Sequence, residues 1–152
     1  MRGKAFFIVG HKHWGKSRTL AFLTDSKRKQ YFEIKGFKFF VRRMSNDDVA
    51  PSFFWLLHHL KPEERAHLLI TICPTFTNKR EGAKLTTALR SFRKRYALFF
   101  FVLRHNFKRP KKLISDEEIE MLEKFGKVRL FATHAEADKR ALALMKFVRA
   151  NL

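Results

Sequence analysis

The sequence predicts an α/β protein built from alternating strands and helices, forming a single domain over residues 1–152. Three observations carry that reading. Short apolar runs rich in Phe, Ile, Leu and Val recur along the chain, at Ala5–Val9, His67–Cys73 and Ala97–Leu103. Helical patterns with capping signals lie between them. A glycine-bounded segment, Gly10-His11-Lys12-His13-Trp14-Gly15-Lys16-Ser17, joins the first run to the first helical pattern.

Each element follows from local chemistry. The first strand is Lys4–Val9. The first helix opens in the glycine-bounded loop, carries Leu20, Phe22 and Leu23, and ends near Asp25. Ser26-Lys27-Arg28-Lys29 is a polar connection. Tyr31–Ile34 and Phe37–Val41 flank Lys35-Gly36, which reads as a β-hairpin. Met44–Val49 is a polar loop, and a helix is expected from about Pro51, suited to a first helical position, to Leu60.

His67–Cys73 reads as a buried strand stopped by Pro74. A loop, Thr75–Gly82, leads to a helix over Lys84–Arg95 with Leu85, Ala88, Leu89 and Phe92 on its apolar side. Ala97–Leu103 is the most apolar strand and belongs at or near the sheet centre. Arg104–Lys112 is a basic loop. Ser115 and Glu118 form a capping box opening a helix to about Phe125, where Gly126 stops it. Val128–Ala132 is the last strand. Thr133 and Glu136 form a second capping box before a C-terminal helix.

The segment Gly10–Ser17 is G-x-x-x-x-G-K-S, the Walker A pattern, in the strand–loop–helix setting that the motif requires. Amides of His11 to Lys16 are expected to curl around phosphate, assisted by the following helix N-terminus. Gly10 and Gly15 permit unusual dihedrals and close backbone approach. Lys16 is the expected catalytic cation at the outer phosphates, and Ser17 the expected Mg²⁺ ligand. Gly10, His11, Lys12, His13, Trp14, Gly15, Lys16, Ser17 and Arg18 make up the expected nucleotide contact set. Trp14 is expected to pack on the neighbouring loop rather than cover a phosphate or a base.

On these residues the chain resembles the P-loop NTPase family, and its element order resembles the G domain of small GTPases. That resemblance implies a three-layer α/β fold, a mostly parallel sheet with one antiparallel hairpin strand, and ATP or GTP with Mg²⁺ as ligands. It also implies that Gly10, Gly15, Lys16 and Ser17 are nucleotide ligands. The other GTPase motifs are degraded. Ser45-Asn46-Asp47-Asp48-Val49-Ala50 stands where D-x-x-G belongs, and Arg104-His105-Asn106-Phe107-Lys108-Arg109 lacks N-K-x-D. Guanine selectivity is therefore unsupported.

Asp47, with Asp48 second, is the expected metal carboxylate, at the end of a strand beside the phosphate loop. The strand His67–Cys73 has no terminal carboxylate. The seven His and single Cys lack metal-ligand spacing, so zinc is not expected. Cys73 reads as a small buried residue, and no internal disulfide is possible. No apolar run approaches transmembrane length and no signal peptide is recognisable, so the expected location is cytoplasmic.

The net charge is +19, and residues 78–112 hold 12 basic residues against 1 acidic. Such a field attracts polyanions, nucleic acid first. Lys79, Arg80, Arg90, Arg93, Lys94, Arg95, Lys108, Arg109, Lys111 and Lys112 form the expected nucleic-acid surface, with Arg104 beside them. Both basic loops are expected at the sheet edge that carries the phosphate loop. The functional expectation is Mg²⁺-dependent nucleoside-triphosphate binding and hydrolysis. A nucleotide or polynucleotide kinase is one alternative. A nucleic-acid-binding protein with a regulatory or decayed nucleotide site is the other.

Overall fold

The computed structural model describes residues 3–11, 14–23, 31–42, 67–105, 113–131 and 137–152. The described elements are β1 (Gly3–Val9), α1 (Lys16–Leu23), β2 (Tyr31–Ile34), β3 (Phe37–Arg42), β4 (His67–Ile72) and α2 (Lys79–Arg93). They continue as β5 (Tyr96–Leu103), α3 (Asp116–Glu123), β6 (Lys127–Phe131) and α4 (Ala137–Ala150). A single 3₁₀ turn, Thr75–Thr77, precedes α2. The expected helix over 51–60, the 44–49 loop and the Thr133/Glu136 capping box lie outside the described residues.

One six-stranded sheet runs in the order β2-β3-β4-β1-β5-β6. β2 and β3 are antiparallel, and every other neighbouring pair is parallel. The hairpin turn places Lys35 at φ 51° and Gly36 at φ 78°. Two successive positive φ values are the primed turn that matches strand twist.

Alternation along the strands splits the phenylalanines between two cores. Phe6 faces Phe39, Phe99 and Phe147. Phe7, one residue on, faces Phe92 and Phe100. One core joins the sheet to α2 and α3 through Leu85, Leu89, Phe92, Ile119 and Leu122. The other joins it to α1 and α4 through Leu20, Leu23, Leu144 and Val148. Helices on both faces make the expected three layers.

β4 explains the strand order. All six of its residues are buried, which suits an interior strand with neighbours on both sides. It lies between β1 and β3, so the hairpin strand is two places from β1. This corrects the expectation that the strand leading towards Asp47 borders the phosphate-loop strand. Among the described residues, no helix is long and apolar enough to cross a membrane.

Candidate functional site

The carboxyl ends of β1, β4 and β5 share one sheet edge, with Val9 level with Ile72 and with Val102. The Gly10–Ser17 loop sits there. Its first amide, Gly10 N–H, donates to the Ile72 carbonyl at 3.1 Å, which continues the β1–β4 ladder into the loop. Gly15 has φ 86°, a left-handed conformation that glycine adopts without the Cβ penalty. The Gly15 carbonyl then accepts from Thr19 N at 2.9 Å and from Thr19 Oγ1 at 2.8 Å, which starts α1.

Lys16 occupies the first helical position and is buried. Its ammonium donates to the Gly10 carbonyl at 2.5 Å and to the His11 carbonyl at 3.2 Å, so it folds back over the loop. Ser17 and Arg18 are exposed on the next positions of the same turn. Trp14 N–H donates to the His11 carbonyl at 3.1 Å. That amide is engaged inside the loop. The Trp14 ring is buried among the α2 and α3 core residues and meets the His11 ring edge-on at 5.0 Å. It packs in the core rather than on the neighbouring loop, and offers no face to a base. Lys12 and His13 lie outside the described residues.

His11 is held from both sides of its ring. Nδ1 lies 3.6 Å from Cys73 Sγ, just past the end of β4. Nε2 lies 3.3 Å from Glu118 Oε2, in the first turn of α3. The contact with Cys73, then that with Glu118, pushes the His11 pKa up to about 9 against the opposing effect of burial. His11 is therefore cationic at neutral pH, beside Lys16. Burial works against the Glu118 carboxylate, but His11 and the Ser115 amide and hydroxyl together hold its pKa below the ordinary value. Glu118 Oε1 accepts from Ser115 N and Oγ, both at 3.0 Å, so one side chain closes the α3 capping box and braces the loop.

Sequence reasoning treated Cys73 as inert packing and Glu118 only as a cap. The pairing was not visible because the three residues come from three elements. The one available signal was a charged side chain at an N3 position whose helix starts at the loop edge.

A cation from the last helix also enters the site. Arg140 in α4 is 2% exposed. It donates from Nη1 to the Trp14 carbonyl at 2.6 Å and from Nη2 to the His105 carbonyl at 3.1 Å. Burial pushes its pKa below the ordinary arginine value. Nothing in the sequence singled it out.

The basic stretch divides. Lys79 and Arg80 are exposed in the first turn of α2, at the same sheet edge as the Gly10–Ser17 loop. Arg90, Arg93, Lys94 and Arg95 are exposed at the far end, where the chain turns into β5. A helix of 15 residues is about 22 Å long, so these two groups face opposite edges. Lys79, Arg80 and Arg104 thus follow the carboxyl ends of β4 and β5, the edge expected for the two basic loops, whereas the residues at the end of the helix do not. Arg93 is also engaged, donating to the Lys124 carbonyl at 2.9 Å and lying 5.2 Å from the Phe125 ring. Arg104 pairs with Asp116 at 2.9 Å. Lys108, Arg109, Lys111 and Lys112 lie outside the described residues, as do Asp47 and Asp48.

The arrangement presents a helix N-terminus and two cations, Lys16 and His11, around one glycine-bounded loop. That combination is suited to an anion with several phosphate oxygens. For Mg²⁺, the Ser17 hydroxyl is a fitting oxygen donor on the exposed side of the loop. Glu118 is committed to His11 and Ser115, so it does not supply a metal carboxylate. No family model matches this chain, and neither a curated protein nor a solved structure matches it.

Proposed function

We propose that this chain is a P-loop nucleotide-binding protein that takes a nucleoside triphosphate with Mg²⁺ in the Gly10–Ser17 loop and hydrolyses it. The observation that carries the reading is Lys16. It is the first residue of α1, and its buried ammonium lies against the carbonyls of Gly10 and His11. A buried ammonium that shares its donors with loop carbonyls can redirect them to phosphate oxygens at little reorganisation cost.

In this reading the α1 N-terminus and the loop amides receive the phosphates. Lys16 and His11 neutralise charge, and Ser17 would hold the metal. Bound Mg²⁺ would supply charge neutralisation at the phosphate oxygens. The protein's part is positioning and electrostatic stabilisation, with no covalent intermediate. The absence of N-K-x-D and the burial of Trp14 favour contact with the triphosphate over contact with the base. Phosphate release from ATP and GTP, with and without Mg²⁺, tests the hydrolytic part. Release by wild type and none by Lys16→Ala is the expected pattern. Equal release by both would assign the activity elsewhere.

A second reading is favoured by the exposed cations at both ends of α2. They support binding of a polyanion, nucleic acid foremost, to a surface larger than the phosphate loop.

A further inference from the structure

The phosphate loop is gripped by a residue 126 positions away in sequence. Arg140 stands on α4 among Ala141, Leu144, Phe147 and Val148, all of which pack into the core beneath it. An apolar side chain there would bury without desolvating a charge. The fold instead carries a guanidinium inward, and its two arms reach two backbone carbonyls on separate loops. One belongs to Trp14, inside the phosphate loop. The other belongs to His105, just past the end of β5.

The Trp14 contact has a directional consequence. The Trp14–Gly15 peptide is planar and trans, so its carbonyl and its N–H point to opposite sides. Arg140 draws the carbonyl towards α4. The Gly15 N–H is thereby turned away from α4. A carbonyl facing a bound phosphate would repel it, whereas an amide donates to it. Gly15 is at positive φ and carries no side chain, so its peptide can flip without a Cβ clash. We propose that Arg140 is a positioning residue that presets the phosphate loop for anion binding, by fixing the Trp14–Gly15 peptide and tying it to the backbone at His105.

The proposal rests on the phosphate-loop reading, and the test separates the two. The probe is inorganic tripolyphosphate, added to the full chain as wild type, Arg140→Lys and Arg140→Met. Affinity is read by calorimetry, and the Gly15 amide by nuclear magnetic resonance. Wild type should bind with a large shift of the Gly15 amide. Arg140→Met should bind about tenfold or more weakly, the scale of one charge-assisted hydrogen bond. Its Gly15 shift at saturation should be small.

Arg140→Lys keeps the charge but cannot span two carbonyls with one ammonium, so it should also weaken binding. That loss distinguishes geometry from charge alone. If Arg140→Met does not fold, Arg140→Lys decides: reduced affinity with an altered Gly15 shift supports positioning, and wild-type values for both overturn it. A folded Arg140→Met with wild-type affinity and an unchanged Gly15 shift overturns the proposal while leaving the phosphate-loop reading intact. If wild type itself does not bind tripolyphosphate, the phosphate-loop reading fails and Arg140 has no loop to position.

Discussion

The Gly10–Ser17 loop and the far end of α2 are both strongly cationic, yet they hold charge in different ways. At the loop, Lys16 and Arg140 are buried and His11 is half-buried, and each meets a defined partner. At the end of α2, Arg90, Lys94 and Arg95 project into solvent. Desolvated charges cost free energy unless their partners are well placed. Solvated ones cost little and act through the field they create. The buried cations around the Gly10–Ser17 loop are thus held in fixed geometry by their partners, whereas the exposed group acts only through its field.

Stability should expose this difference most strongly. Glu118→Ala removes both the α3 capping box and the partner of His11, and should cost about 2–3 kcal/mol. Arg90→Gln and Lys94→Gln should each change stability by no more than about 0.5 kcal/mol. Chemical denaturation of the three variants checks the contrast. Comparable losses in all three would erase it.

A smaller effect is expected with pH. His11 titrates near 9 in the folded chain against an ordinary 6.5. Its contribution to stability is fully present below about pH 6.5 and is lost as pH rises towards and through 9. Because the ring is partly exposed, the loss should be on the order of 1 kcal/mol. His11→Gln should flatten that slope, while Lys94→Gln should leave it unchanged. Melting temperatures between pH 6 and pH 10 report it, and an equally steep decline in His11→Gln would remove His11 as its source.

For the solvated end, Arg90→Glu, Lys94→Glu and Arg95→Glu combined should lower affinity for single-stranded DNA or RNA. The salt dependence should become shallower by up to about three counterions. Binding of Mg²⁺–ATP should stay the same, because these residues stand about 22 Å along α2 from the loop edge. Filter binding across a salt series measures the first quantity. A fall in nucleotide affinity in the same variant would mean that the two regions are coupled. The smallest difference should be between bases: ATP and GTP should bind within about threefold of each other, a gap well under the 1.4 kcal/mol of a tenfold change.

Local chemistry made most elements legible. The Lys35-Gly36 turn, the capping box at Ser115 and the three apolar strands all fall where the residues place them. The start of α2 did not. Gly82 reads as loop, yet α2 begins at Lys79, capped by Asn78 Oδ1 accepting from Glu81 N at 2.9 Å. Gly82 sits inside the helix because a Cβ there would stand 2.7 Å from the Phe76 carbonyl oxygen in the adjoining 3₁₀ turn, so the position takes glycine for close packing and not for a loop.

Strand order was equally hidden. Hydrophobic pattern shows that β4 is buried on both faces, but not which strands flank it. Within the site, Gly15, Lys16 and Ser17 are readable because they are contiguous. Glu118, Cys73 and Arg140 are not, because α3, β4 and α4 bring them to the loop only after the sheet has formed. The charge count was legible, and its division between two edges was not, since that depends on where a helix ends relative to the next strand.

In the proposed function a polyphosphate occupies the Gly10–Ser17 loop under the control of Lys16. Calorimetric titration of the full chain with ATP in the presence of Mg²⁺, beside the same titration of Lys16→Ala, tests it most directly. Saturable binding by wild type is expected, with a loss of about a hundredfold in the variant, the upper range for one charge-assisted contact. Equal affinity in the two proteins, or no binding by wild type, would contradict it.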